Sequence, residues 1–317
     1  MTTTPLRELD ILTELEPVVA KQVDRHLKMA KEWFPHEYVP WSQGRDFDVE
    51  PWSPEQSSLT PIVQTSLEVN LLTEDNLPSY HREIERSFGR DGAWGFWVHR
   101  WTAEEGRHGI VMRDYLLVTR AVDPVKLERD RMQAMQEGYD ASEKDALRSL
   151  AYVSFQELAT RIAHRNTGVH SQDPVCDRIL ARVAADENLH MIFYRDLISA
   201  AMRLTPSQTV KAIAAEVLAF QMPGAGIRDF TARAMQIAHA GIYDLRIHVD
   251  EILWPVLRQW KFFEVEGLDA EAEQAREAVA KHMKRLDRLA GRFEATRAAK
   301  RAEEAERGEN PLGLAQV

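Results

Sequence analysis

The chain has 317 residues, 44% hydrophobic and 28% charged, an ordinary soluble composition with enough length to bury a large core. Its formal net charge of -10 argues against broad nucleic-acid binding, and the single cysteine, Cys176, excludes an intramolecular disulfide. No apolar run approaches the roughly 18 residues of a membrane span, and the opening residues Met1 to Glu8 lack the apolar centre of a secretion signal, so a cytoplasmic protein is expected.

Residues 10 to 33 read as a helix, with Ile11, Leu12, Leu15, Val18, Val19 and Val23 apolar at mixed spacings of three and four. Pro17 leaves a later start open, because proline fits a first turn. The second half carries Lys21, Arg25, Lys28 and Lys31, either a solvated face or a docking patch, and Trp33 closes it. From 34 to 58, four prolines with Trp41 and Trp52 predict an ordered, extended connection. The next helix, 59 to 88, should bend at Pro78, which cannot donate to the carbonyl of Glu74; the alternative is an end near Asn76.

Further helices are predicted at 92–121, 124–138, 143–167, 174–203, 206–221, 228–240, 244–265 and 269–301. The last turns basic from Lys281 to Arg301. Residues 1–301 are expected to form one domain, and 302–317, polar with Gly and Pro, a disordered tail. No segment alternates with a strand period and no phosphate-binding glycine loop is present, so the fold class is all-α. His164, His170, His239 and His248 have no glutamate three residues earlier and read as structural or surface groups.

Two stretches do carry that spacing: Glu105 precedes His108, and Glu187 precedes His190. On a helix each pair shares one face and can grip a common metal. Such pairs also arise by chance, so the register of two further glutamates matters. Glu74 precedes Glu105 by 31 residues and Glu157 precedes Glu187 by 30, which repeats the order Glu, then Glu-x-x-His. Four inward carboxylates and two imidazoles are what a ferritin-like four-helix di-iron bundle requires, here with additional flanking helices. The four carboxylates offset the charge of two ferrous ions, and oxygen with imidazole ligation suits iron, with manganese as a substitute. If Glu105 and Glu187 bridge, each metal keeps one histidine, one terminal glutamate and a position for dioxygen. Asp186 and Glu104, each just before a ligand glutamate, are either acceptors for the second nitrogens of the histidines or ordinary surface acids.

The same stretches resemble the soluble acyl-[acyl carrier protein] desaturases, the plastid stearoyl desaturase family and its actinobacterial relatives. Thr73 to Tyr80 is similar to the family's Thr-Glu-Glu-Ala-Leu-Pro-Thr-Tyr, and Trp101 to His108 to its Trp-Thr-Ala-Glu-Glu-Asn-Arg-His. Ser154 to Thr160 resembles Ser-Phe-Gln-Glu-Arg-Ala-Thr, and Ala184 to His190 resembles Ala-Ala-Asp-Glu-Lys-Arg-His. The resemblance runs collinearly from about residue 10 to about 300, nearest to the mycobacterial branch. It implies a homodimer that uses dioxygen and two electrons, typically from ferredoxin, to place a cis double bond in a carrier-bound fatty acyl chain during fatty acid biosynthesis. It also implies an electron route through Trp33, Asp186 and His108 and an active-site role for Thr160. One departure is Gly106, where the family usually has asparagine.

Competing readings are iron storage, a ribonucleotide reductase small subunit, a di-iron hydroxylase and a catalytically silent relative. Storage subunits need a single four-helix unit, which the chain exceeds, and the reductase radical tyrosine is replaced by Met112. Because acyl carrier protein is acidic, docking requires a local basic surface. The stretch from Lys21 to Lys31 is preferred for its proximity to Trp33, with Lys281 to Arg301 the alternative.

Overall fold

The computed structural model describes residues 6–141, 143–224 and 226–307. Among them every regular element is helical. The bundle core consists of α2 (Pro61–Asp75), α4 (Gly92–Val118), α6 (Ala146–Ser171) and α7 (Pro174–Leu204). α1 (Glu8–Met29) lies against α4 and α7, and α3 (Leu77–Phe88) continues the path of α2 along α4. α5 (Pro124–Glu137), α8 (Pro206–Ala219) and α9 (Phe230–Ala240) cover the flanks. The chain then runs through α10 (Leu245–Ile247), a π turn (His248–Leu253) and α11 (Trp254–Gln259) into α12 (Ala270–Glu306).

Local chemistry explains these boundaries. α2, α5, α7 and α8 carry proline in the first turn, where its missing N–H costs nothing. Asp123, Asp145, Asp173 and Asp269 accept hydrogen bonds from otherwise orphaned N–H groups at the starts of α5, α6, α7 and α12. Only Gln172, in the left-handed region, and Asp173 separate α6 from α7, so the two pack antiparallel as the most extensive helix pair.

Several boundaries differ from the sequence reading. α1 already begins at Glu8, and Pro17 sits inside it. The predicted bend at Pro78 is a break at Asn76, with α3 starting afresh around the proline. The segment expected as one helix over 244–265 contains the π turn, whose extra residue per turn leaves no mark on a 3.6-residue pattern. α12 continues to Glu306, so 302–306 is helical rather than disordered, because its alanines and glutamates are strong helix formers. The rest of the predicted tail from 308, and Met1 to Pro5, lie outside the described residues. The connection after α1 is extended with three short 3-10 turns. Buried Arg120 clamps it, donating to Gln56 at 2.8 Å and to the carbonyls of Arg45 and Glu50, while its guanidinium lies over Phe47.

The core is split in two. One apolar cluster contains Trp97, Leu150, Phe155, Tyr194 and Leu197; the other contains Leu67, Leu71, Met112, Tyr115 and Leu180. Along α4 and α7 the first cluster lies on one side of a buried polar layer and the second on the other. Leu197 is fully buried in the first cluster, far along α7 from that layer. Leu197→Ala is expected to lower the unfolding free energy by about 2–5 kcal/mol through lost burial and the cavity left behind. A urea midpoint that falls with unchanged slope checks this; an unmoved midpoint would show that the neighbours close the gap.

Candidate metal centre

The polar layer is built by four helices. α2 supplies Glu74 in its last turn, α4 supplies Glu105 and His108, α6 supplies Glu157, and α7 supplies Glu187 and His190. The three-residue spacing puts each glutamate and histidine of a pair on one inward face. All six residues are buried. Their donor atoms form two groups, Glu74, Glu105, His108 and Glu187, and Glu105, Glu157, Glu187 and His190, with the atoms of each group within 4.8 Å of one another. Glu105 and Glu187 belong to both. The six residues paired by sequence register therefore meet in space, with the expected bridging pair between the two groups.

Both histidines turn Nδ1 inward. His108 Nδ1 lies 3.0 Å from Glu105, 3.3 Å from Glu187 and 3.7 Å from Glu74. His190 Nδ1 lies 2.8 Å from Glu105 and 3.6 Å from Glu157. Yet His190 Nδ1, Glu105 Oε1 and Glu157 Oε2 are buried without an aligned hydrogen bond. Buried polar atoms are rarely left so, and lone pairs that converge without satisfying one another fit metal ligation. A set of four carboxylates and two imidazoles with no thiolate suits iron or manganese.

Electrostatics point the same way. Burial, then the neighbouring Glu187 and Glu105, push Glu157 well above the ordinary carboxylate range. Burial also raises Glu74, but hydrogen bonds from His108 and His164 overcome it and leave Glu74 below that range. Burial depresses both imidazoles, and the carboxylates around them, Glu105 foremost, override it and hold both well above 6.5. Without a metal the layer keeps protons that a cation would displace.

The outer partners cross between helices. His190 Nε2 bonds Glu104 of α4 at 2.9 Å, while His108 Nε2 faces Asp186 of α7 at 3.5 Å, close enough to attract but not aligned as a hydrogen bond. Glu104 and Asp186 are thus buried partners of the histidines and not surface acids. Asp186 accepts from Trp33 Nε1 at 2.7 Å and pairs with Arg107 and Arg182. Burial raises Asp186, but His108 and Arg182 bring it down to about 2. Trp33 is buried, and its ring stacks 6.4 Å from that of His108. Thr160 Oγ1 lies 3.1 Å from Glu187 Oε2 and 3.2 Å from the Gln156 carbonyl, so the packing bond and the contact with the site coexist.

Two histidines were missed as members of this shell. His164, expected to be structural or at the surface, is buried, and its Nε2 bonds Glu74 at 3.0 Å; it follows Glu157 by two helical turns, so its inward direction was available. His26 Nε2 bonds Glu104 at 2.8 Å and continues the buried stripe Ile11, Leu15, Val19, Val23. Trp101 Nε1, at the start of the motif that holds Glu105 and His108, donates to Glu157 at 3.0 Å.

The model of the fatty acid desaturase family matches residues 7–309. DesA1 of Mycobacterium tuberculosis, which carries the name of an acyl-[acyl-carrier-protein] desaturase, is 48% identical over 314 residues, covering 96% of this chain and 93% of that protein. Stearoyl-[acyl-carrier-protein] 9-desaturase 6 of Arabidopsis thaliana chloroplasts is 29% identical, covering 90% and 79%. The X-ray structure of DesA2 from Mycobacterium tuberculosis H37Rv superposes with a TM-score of 0.68 at 30% identity, over 84% of this chain and 99% of that one. No helix among the described residues is long and apolar enough to cross a membrane.

The raised groups set a pH dependence. A histidine whose folded value lies above its ordinary 6.5 adds stability that is fully present below 6.5 and is lost as pH rises through the folded value; raised Glu157 has the same sign. The metal-free protein should therefore lose thermal stability as pH rises above 6.5, and metal loading should release protons and flatten the profile. Thermal denaturation across pH, with and without chelator, reads this. A flat metal-free profile would mean that neither imidazole holds an extra proton.

Proposed function

The chain belongs to the fatty acid desaturase family, and from that premise we propose that it is an oxygen-dependent acyl-[acyl carrier protein] desaturase with two iron ions. The observation that carries this reading is the pair of four-ligand groups sharing Glu105 and Glu187. Glu74 and His108 would complete one iron site, and Glu157 and His190 the other. The bound ions would supply the redox chemistry by which dioxygen, two electrons and two protons accept two hydrogens from adjacent chain carbons, leaving a cis double bond and two waters.

The protein's own residues divide the remaining work. Trp33 and Asp186 link His108 toward the surface and are the proposed entry for electrons from a ferredoxin-like donor. Exposed Phe34, Lys28 and Lys31 lie beside that entry in the chain and suit an acidic donor. Thr160 holds its hydroxyl proton within reach of Glu187 and is the proposed proton relay. Two cavities meet at Thr73 and Glu74. One passes Thr160 and His164 and shares Met222, Phe230, Ala234 and Tyr243 with a surface cleft at α9 and α10, the proposed mouth of an acyl channel.

The position of α12 supports the C-terminal basic run as the carrier site, in place of the α1 patch preferred on sequence. Arg297 donates to the Ala238 carbonyl and Arg301 to those of His239 and Ala240, which pins α12 against α9. Exposed Arg288 and Arg292 lie on the same helix, which meets the cleft through the pair of Arg297 with Asp244. A carrier docked there would feed its chain directly inward.

Mass spectrometry of carrier thioesters after incubation with iron-loaded protein, reductant and dioxygen tests the activity. Loss of two hydrogens is expected; gain of an oxygen atom would make the protein a hydroxylase. Thr160→Ala should keep its metals while forming less alkene per dioxygen consumed, and an unchanged ratio would remove Thr160 from proton delivery. For the surfaces, Arg288→Glu with Arg292→Glu should raise KM for the carrier, and Lys28→Glu with Lys31→Glu should slow reduction by the donor alone. The opposite assignment of effects would return the carrier to α1.

A further inference from the structure

The second cavity leaves the metal layer in the other direction. It starts at Glu74, Glu105 and Trp101 and runs between α3 and α6. Successive turns of the two helices give its order: Tyr80, Ile84 and Ser87 along α3, and Gln156, Val153 and Ser149 along α6. Ser149 precedes Glu157 by eight residues, about 12 Å along the helix axis. The walls are apolar and aromatic, with Tyr80, Tyr139 and Tyr152 in edge and stacked contacts. An alkyl chain fits such walls.

Ser87 and Ser149, the lining residues farthest from the metal layer along α3 and α6, do not suit a methyl terminus. They are 8% and 5% exposed, with their hydroxyls 3.1 Å apart. Two hydroxyls hold two protons, and one bond between them uses one. Neither hydroxyl makes another hydrogen bond to the described protein atoms, although Ser154, Thr160 and Thr167 on the same helix bond back to carbonyls four residues earlier. One O–H donor and several lone pairs therefore face the cavity. The charged neighbours are already matched: both oxygens of Glu83 pair with Arg82 and Arg86, and Lys144 with Arg148 holds Glu216. Compensated charges leave a neutral donor and acceptor as the free chemistry, which suits a hydroxyl or carbonyl and not a carboxylate or amine.

We propose that Ser87 and Ser149 form a specificity site for an acyl chain that carries a hydroxyl or carbonyl oxygen at or near its far end. This rests on the reading of the cavity as an acyl channel. An oxygenated chain satisfies the free hydroxyl, whereas a plain chain of equal length leaves it buried and unpaired.

The test measures binding of matched long-chain acyl carrier thioesters, differing only in a terminal hydroxyl and taken over a ladder of lengths, to the iron-loaded protein. At the best-fitting length the hydroxylated chain should bind about fivefold or more tightly, the factor of one net buried hydrogen bond. Ser87→Ala with Ser149→Ala should abolish that preference and leave the plain chain bound as well or better. Equal binding, tighter binding of the plain chain at every length, no binding of either, or a preference that survives in the double variant would each overturn the proposal. Product analysis of the same samples separates the two readings: a serine-dependent preference without alkene from either chain keeps the specificity site and removes the desaturase.

Discussion

Four carboxylates and two imidazoles in one dry layer are the constraint on which the rest of the structure depends. Each buried ion costs several kcal/mol unless partners replace its hydration. The bundle answers with imidazoles set against carboxylates, with the indole of Trp101 on Glu157, and with His164 on Glu74. The apolar clusters on either side keep water out and strengthen every charge interaction between them. Atoms still unsatisfied after this, such as Glu105 Oε1 and His190 Nδ1, converge where a cation would satisfy them.

The outer shell ties the helices together reciprocally. Glu104 and Glu105 are neighbours on α4, yet Glu104 supports the histidine of α7; Asp186 and Glu187 are neighbours on α7, yet Asp186 faces the histidine of α4. Loss of either acid would release a ligand on the opposite helix. The two arms end differently. The Asp186 arm reaches an indole flanked by Arg107 and Arg182, whereas Glu104 meets Arg100 and the buried imidazole of His26, which packs edge-on against Trp97. That asymmetry distinguishes two groups that each hold three glutamates and one histidine.

Space around the layer is equally uneven. The cavity toward α9 shares its lining with a surface cleft, while the one between α3 and α6 is lined by paired hydroxyls. The break at Asn76 contributes to both, because it leaves Glu74 in the last turn of α2 and lets α3 line the second cavity. A straight helix through Pro78 would demand a backbone donor that proline lacks.

Much of this was legible in the residues themselves. A Glu-x-x-His spacing on a helix is a statement about one face, and its repetition after a second glutamate named all six inner residues before any contact was known. Aspartates or prolines mark most helix starts for equally local reasons. The sequence also placed Glu104 and Asp186 next to ligands, but adjacency along one helix cannot say which histidine across the bundle each will meet. His26 and His164 were hidden because their partners lie 78 and 90 residues away. Local periodicity therefore determined the fold class and the six residues of the inner layer, while helix packing alone decided the outer pairings, the two cavities and the paired hydroxyls, since each joins side chains that no chain-local interaction brings together.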